Sequence, residues 1–377
     1  MHELAKNSAN RYTDIGAYSK LDANETFDPP SPKVMSVLLS ESMRHLGFYG
    51  DPNCTIFRKA IAQKYNVDPK QIMVGNGADE ILQIIMTAFM KEQYSICFPQ
   101  ITYEFYECFC NAFNIKYCTI PMKDDFSVNT KALTDTNSNI ILANPNSPTG
   151  IYLSMDEVVS IVCSKPQRIV VLDEAYIDFG NQSAVPLVKK YANLIVIHTM
   201  SKSSNLAGVH IGYCFASETL ICQLNRIRYA LNSHNMSYIS QAIGIAAIND
   251  DAYYLQNIKK RIDIRTHFTN KMKELGFVVV PSSTNFVLVT HPHLSAIAYQ
   301  SICLEHRILI RHYDIAKISN FVRITIGTQE QMDALYDITR DLLLSDRIIT
   351  MNKDEKGSKN EITKRNRHLG YEADYTS

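Results

Sequence analysis

Short apolar runs of strand length alternate with longer runs of helical spacing between Gln71 and Val209, and this alternation restricts the fold more than any other feature of the chain. The strand runs are Gln71–Val74, Tyr94–Phe98, Lys116–Ile120, Asn139–Ala143, Ile169–Leu172 and Leu194–Ile197. Helical spacing is read over Val34–His45, Thr55–Lys64, Ile81–Met90, Tyr103–Ala112 and Met155–Cys163. Strands that alternate with helices predict a mostly parallel sheet with helices on both faces. Ile169-Val170-Val171-Leu172 is so apolar that it is expected at the centre of that sheet. Nothing repeats at a fixed period, which argues against a solenoid. In an open α/β sheet the loops that follow the strands converge on one edge, and ligands bind there.

Several of those loops carry polar residues of a particular kind. Gly75-Asn76-Gly77-Ala78-Asp79-Glu80 joins a strand to a helix N-terminus, where free backbone N–H groups and the positive end of the helix suit a phosphate. It is not a P-loop, because no Gly-Lys-Ser/Thr follows, and an ordinary βα turn with Asp79 and Glu80 favouring the first helical turn reads equally well by itself. Tyr103 stands at the mouth left by the strand before it, whereas most of the aromatics after it are core residues. The next loop, Asn144-Pro145-Asn146-Ser147-Pro148-Thr149-Gly150, is kept out of a helix by its prolines. The most apolar strand ends in Asp173-Glu174-Ala175-Tyr176, and the strand Leu194–Ile197 runs into Thr199-Met200-Ser201-Lys202.

A lone lysine in a loop is more often a solvated one. Lys202, however, follows a strand-end aspartate by twenty-nine positions. A buried carboxylate can hold a pyridinium nitrogen protonated while a desolvated lysine forms a Schiff base with an aldehyde. Pyridoxal phosphate needs that arrangement to act as an electron sink. Its phosphate would rest on the Gly75–Glu80 turn, an aromatic such as Tyr103 would stack on its ring, and Tyr176 and Asn146 would bond its phenolic oxygen.

After Tyr213 the chain is expected to be helical over Glu218–Leu231 and Tyr238–Ile248, then through a charged segment from Ala252 to Leu275 that leads into a second lobe. Phe277–Val280, Asn285–Val289, Ile308–Arg311 and Phe321–Ile326 read as strands there, with helices at Ser295–His306 and Gln329–Leu344. The 377 residues are too many for one ordinary core and agree with two lobes. Apolar residues make up 46% and charged residues 20%, as in a globular protein. Lysine plus arginine (38) balances aspartate plus glutamate (38), so no overall charge points to nucleic acid or an anionic membrane. The N-terminal residues lack the apolar core of a secretory signal, and no run has the length of a membrane span. The nine cysteines are irregularly spaced and show no zinc pattern, so no metal is expected and the thiols read as reduced, in a cytoplasmic protein.

Taken together, KLDANE (20–25), GNGADE (75–80), NPNSPTG (144–150), VVLDEAY (170–176), SKSSNLAG (201–208) and VRITIGT (322–328) stand in an order and spacing that resemble the class I/II pyridoxal-phosphate-dependent aminotransferases of fold type I, closest to their histidinol-phosphate aminotransferase branch. The resemblance covers about residues 20–345. It implies an α/β fold: a large domain (46–245) with a mostly parallel seven-stranded sheet between helices, a smaller α+β domain (246–345) joined by the N-terminal arm (1–45), and a polar tail (346–377). It implies Lys202 as the Schiff-base lysine and proton shuttle, Asp173 at the pyridine nitrogen, Tyr176 and Asn146 at the phenolic oxygen, and Tyr103 on the ring. Gly77, Ala78 and Ser201 would help hold the cofactor's phosphate, Asp79 and the residue at position 210 would also contact the cofactor, and Tyr49 would reach the phosphate of a partner subunit's cofactor in a homodimer. Arg323 would bind the substrate's carboxylate or phosphate, with Arg311 and Asn24 beside it. The activity implied is transfer of an amino group from an amino acid or amino-alcohol phosphate, histidinol phosphate first, to a 2-oxo acid such as 2-oxoglutarate.

Two departures stand out. The family carries an arginine eight residues after the lysine, where this chain has His210, a shorter residue with fewer donors. Ser147 stands where a second asparagine is common, and Ser204-Asn205 where Phe-Gly is. A decarboxylase on the same scaffold, like threonine-phosphate decarboxylase, shares these motifs, because the bond broken at the α-carbon depends on how substrate lies over the ring. A binding or regulatory protein that has lost turnover would be expected to lack Lys202 or Asp173, and both are present.

Overall fold

The computed structural model describes residues 17–40, 44–89 and 95–344. The predicted polar tail lies outside them, as do Met90, Tyr94 and part of the predicted helix Val34–His45. By internal contacts the described chain forms two units, one of residues 25–263 with 281–285, the other of residues 17–24, 264–280 and 286–344.

Strands are numbered along the chain from Ser19–Lys20 (β1), which belongs to the smaller unit. The larger unit holds a seven-stranded sheet built from Ile72–Gly75 (β2), Ile96–Pro99 (β3), Tyr117–Ile120 (β4), Asn139–Ala143 (β5), Val170–Asp173 (β6), Leu194–Thr199 (β7) and Gly212–Ala216 (β8). Their order is β2-β8-β7-β6-β5-β3-β4. All pairs are parallel except those of β8, which runs antiparallel to both of its neighbours. Every residue of β5, β6 and β7 is buried, as expected of strands covered on both faces. Helices Gly77–Phe89, Phe105–Ala112 and Glu218–Leu231 seal one core, in which Ile81, Ile85, Tyr106 and Leu224 pack against Met73, Phe98, Ile141, Val171 and Ile195. Side-chain caps fix several helix starts. Ser154 and Glu157 form a reciprocal capping box at Met155, and Ser217 caps Glu218.

The register of this sheet places the site. Ala143 is level with Asp173, Asp173 with Ile197, and Gly212 pairs with both Gly75 and Thr199. The residues that follow Gly75, Ala143, Asp173 and Thr199 therefore leave the sheet at one edge.

Gly212–Ala216 corrects the sequence reading, which gives this stretch no strand. Its five residues are all buried and show no alternation, so they merge by pattern with the apolar Leu206–Val209. In the fold a 3-10 turn at Ala207–Val209 and a left-handed His210 (φ 55°) separate the two and reverse the chain. The predicted helix Val34–His45 is also shorter. It runs from Pro32 to Leu38, capped by Ser31, and Leu39 closes it with its side chain 86% exposed. A helix at Thr130–Asp135, capped by Asn129, was not expected.

The smaller unit contains a four-stranded antiparallel sheet, in the order Arg311–His312 (β12), Val322–Thr325 (β13), Phe286–Thr290 (β10) and Val278–Val279 (β9). The predicted strand Ile308–Arg311 is split. Ile308–Leu309 (β11) pairs in parallel with β1, and Ile310 passes the chain to β12 in the other sheet. Helices Ala296–Glu305 and Gln329–Leu344 complete the unit.

Candidate active site

At the end of β6, Asp173 is buried, with 6% of its surface exposed. Its Oδ2 accepts a hydrogen bond from the Tyr106 hydroxyl (2.9 Å) and its Oδ1 one from the Ala175 N–H (3.1 Å). Burial pushes its carboxyl up to about 6, against the pull of those two bonds. Among the described residues no cationic side chain forms an ion pair with it. A buried carboxylate left in this state is matched by a heterocyclic N–H cation, so the site fits a pyridinium ring on its own chemistry.

The next residue is held differently. Glu174 accepts from His198 Nε2 (2.9 Å), the Ser183 hydroxyl (2.5 Å) and the Ala184 N–H (2.8 Å), all buried or nearly so. His198 Nδ1 in turn meets the Tyr65 hydroxyl at 3.2 Å. This network fixes the turn that carries Asp173 and Tyr176. Lys202 comes from the loop after β7, with its ammonium 5.9 Å from the centroid of the Tyr176 ring. Ser203, beside it, is tied to Asp178 through its hydroxyl, and the Asn205 amide donates to the Pro29 carbonyl (3.2 Å).

Tyr103 donates to both oxygens of Asp79 (3.1 and 3.3 Å). Burial raises the Asp79 carboxyl, while the Tyr103 bond and the charges of Lys202 and His210 oppose the rise. The Tyr103 phenol is raised by burial and by the neighbouring Asp79, Asp173 and Tyr176. Asp79, Tyr103, Asp173, Tyr176, Lys202 and His210 thus lie near one another.

The phosphate end is built from backbone. The helix starts at Gly77, whose φ of +86° is a conformation that favours glycine, and the Glu80 carboxylate accepts the Asn76 N–H (2.6 Å). The N–H groups of the first helical turn have no partner within the helix and carry its positive end. Gly212, missed in the sequence, lies against this turn: a Cβ there would come within 2.6 Å of the Gly77 carbonyl and the Ala78 nitrogen. No other residue fits without pushing the turn away. Ser201 is oriented by Thr199, whose Oγ1 accepts the Ser201 N–H (3.2 Å) and lies 3.0 Å from its hydroxyl. His210 Nδ1 stands 4.0 Å from where a Cβ of Gly77 would be, so the imidazole is beside the turn, as its position after Lys202 suggested.

Asn146 departs from expectation. Both N–H groups of its amide already donate within the protein, to the Ile101 carbonyl and Thr149 Oγ1 (each 2.9 Å), and its Oδ1 accepts from Thr102 (2.7 Å). With its donors committed, the amide ties the loop after β5 to that after β3 and has no N–H left for a cofactor oxygen. Tyr49 is 84% exposed, with its ring 4.6 Å from that of His234.

Arg323, Arg311 and Asn24 belong to the smaller unit. Arg311 and Arg323 are direct cross-strand partners, and both guanidinium groups lie over the ring of Tyr313, at 5.4 and 5.6 Å. Arg323 also faces the Phe286 ring at 5.3 Å and donates to the Asp22 carbonyl (2.6 Å). Asn24 is fully buried. Its N–H donates to Thr325 Oγ1 (3.0 Å), and the Thr325 hydroxyl donates back to its Oδ1 (3.2 Å).

Among the described residues no group of His, Cys, Asp and Glu is arranged to hold a metal ion, and no helix is long and apolar enough to cross a membrane. All nine cysteines are free thiols.

A strand-end carboxylate, a loop lysine and a helix N-terminus meet at one edge of a fold-type I sheet, and the chain belongs to the class I and II aminotransferases, whose family model matches residues 17–338. It is a pyridoxal-phosphate-dependent enzyme of that family. Among its relatives, a histidinol-phosphate aminotransferase of Brachyspira hyodysenteriae is 40% identical over 317 residues, covering 84% of this chain and 90% of the relative. Histidinol-phosphate aminotransferase 2 of Dechloromonas aromatica is 38% identical over 327 residues, covering 86% and 92%. The crystal structure of histidinol-phosphate aminotransferase from Sinorhizobium meliloti in complex with pyridoxal-5'-phosphate superposes with a TM-score of 0.78 at 25% identity, over 86% of this chain and 90% of that one.

Proposed function

We propose that this aminotransferase takes its amino group from an amino-alcohol phosphate, histidinol phosphate foremost, passes it to a 2-oxo acid such as 2-oxoglutarate, and works as a cytoplasmic homodimer. The observation that carries the donor class is the pairing of Arg311 with Arg323. Like charges directly opposite on neighbouring strands repel. Two guanidinium groups gathered on one tyrosine ring are a fork suited to a phosphate or carboxylate.

When bound, the cofactor supplies an electron sink for the substrate's α-carbon. In this reading Asp173 would keep a ring nitrogen protonated, and Lys202 would be the attachment point for the cofactor and the amine that moves the substrate's α-proton. Tyr103, fixed by Asp79, stacks on the ring, and Tyr176 bonds the phenolic oxygen. Gly77, Ala78 and Ser201 hold the phosphate with His210, while Asn146 acts one step removed by fixing the loops around the ring. Production of glutamate from 2-oxoglutarate and histidinol phosphate, without carbon dioxide, tests the assignment. Carbon dioxide released from a phosphorylated amino acid would make the protein a decarboxylase instead.

His210 offers a single imidazole where the family has a two-pronged guanidinium. Replacing it, His210→Arg, is expected to tighten cofactor binding about tenfold through added charge-assisted bonds, measured by equilibrium titration of the ligand-free protein. Equal affinity in the two proteins would mean that position 210 does not contact the phosphate.

The homodimer rests on the stretch around Tyr49. Leu39 (86%), Phe48 (73%), Tyr49 and Ile56 (69%) are all largely exposed. That much apolar surface in one short segment is expected to be covered by a partner. Sedimentation equilibrium should give twice the mass of one chain, and a monomer at micromolar concentration would remove Tyr49 from the site.

A further inference from the structure

Tyr106 has been given no role of its own so far, yet among the described residues it is the side chain that hydrogen-bonds to Asp173. It is wholly buried, on the first turn of helix Phe105–Ala112. Its ring meets Phe98 edge-on at 6.0 Å and stands at 84° to Tyr103, with centroids 5.5 Å apart. Its hydroxyl donates to Oδ2 of Asp173 at 2.9 Å.

A buried tyrosine finds some partner for its hydroxyl in most proteins, and a backbone carbonyl would serve. Here the partner is a carboxylate that otherwise has, among the described residues, the Ala175 N–H alone, which takes the other oxygen. One donor on each oxygen fixes the plane of the carboxylate and leaves each oxygen a further lone pair. The hydrogen bond also favours the ionised form, in a place where burial favours the neutral one. The same phenol braces Tyr103, so one residue sets both the carboxylate and the aromatic platform.

We propose that Tyr106 is a positioning residue for the cofactor, orienting the Asp173 carboxylate and keeping it ionised toward a ring N–H while squaring Tyr103 against that ring. This rests on the reading of Asp173 as the partner of the pyridine nitrogen. Besides Tyr106, the groups that bear on Asp173 are Asp79, which opposes its ionisation, and His198 on β7, which favours it. Neither hydrogen-bonds to it.

The test compares three holoenzymes, wild type, Tyr106→Phe and Asp173→Asn, by the pH midpoint of the cofactor's visible absorption band and by the cofactor dissociation constant. Tyr106→Phe keeps the ring and removes the hydroxyl. It should bind pyridoxal phosphate about tenfold more weakly, the effect of one hydrogen bond to a charged group. Its midpoint should move in the same direction as that of Asp173→Asn, but less far. A second variant with 3,5-difluorotyrosine at position 106 has a more acidic phenol and a stronger hydrogen bond, and should move the midpoint the opposite way without disturbing the packing. A midpoint and affinity unchanged in both Tyr106 variants, with Asp173→Asn shifted, would reduce Tyr106 to a packing residue. If Asp173→Asn is also unchanged, the reading of Asp173 fails, and the role of Tyr106 with it.

Discussion

Lys202→Ala is expected to lower turnover by at least about 10⁴-fold, because in the proposed function it removes both the covalent attachment and the group that moves the α-proton. The loss should be chemical and not structural. Lys202 is partly exposed at the pocket and lies over the Tyr176 ring at 5.9 Å, while the loop around it is held by Ser203 on Asp178 and by Asn205 on Pro29. The melting temperature should therefore stay near that of the wild type. The phosphate loop, Gly77 to Ala78, is untouched, so the variant should still bind the cofactor without holding it covalently. Turnover within tenfold of wild type, measured by amino-group transfer to 2-oxoglutarate, would contradict the assignment.

Asp173→Asn carries the second large effect, with two separate readouts. Catalysis should fall by roughly 10²–10³-fold, the range for removing one preorganised electrostatic contact. The ligand-free protein should respond in the opposite sense. The Asp173 carboxyl is raised from its ordinary 3.8 to about 6 by burial, so between these values the folded state keeps a proton that the unfolded chain gives up. The stabilisation linked to that proton is complete below about pH 4 and is lost as pH rises through about 6, on the order of 3 kcal/mol in all. Asp79, also raised, adds in the same direction. Denaturant unfolding of the ligand-free protein at pH 4 to 7 should show this decline, and Asp173→Asn should flatten much of it. A decline of the same size in the variant would place the titrating group elsewhere.

The buried cost of Asp173 and the function of the site are two sides of one arrangement. A buried carboxylate with two hydrogen-bond donors and, among the described residues, no ion-pair partner is poorly satisfied until a cation arrives. A protonated ring nitrogen is such a cation.

The parts of the fold that were legible in the sequence are those set by local pattern. Asn139–Ala143, Tyr238–Ile248 and Gln329–Leu344 were read with the bounds they have in the structure, since each is an apolar or amphipathic run with a sharp end. Asp173, Tyr103, Asp79 and Lys202 come near one another because each ends or follows a strand, and strand ends share an edge. What stayed hidden depends on contacts distant in sequence. Gly212 matters only because β8 turns back between β2 and β7 and brings its backbone against Gly77. Tyr106 sits in a run of aromatics that reads as core, and it is core; only the end of its ring, sixty-seven positions from its partner, sets it apart. The direction of the Asn146 amide is not legible in the sequence, because its bonds to Ile101 and Thr102 come from a loop more than forty positions away.

The central claim is tested most directly by the absorption spectrum of the purified protein with pyridoxal phosphate, before and after addition of histidinol phosphate. A visible band should form, disappear in favour of the amine form of the cofactor on addition of the donor, return with 2-oxoglutarate, and be absent in Lys202→Ala. A band that never forms with cofactor in excess, or one that forms equally in Lys202→Ala, would contradict the site described for this chain.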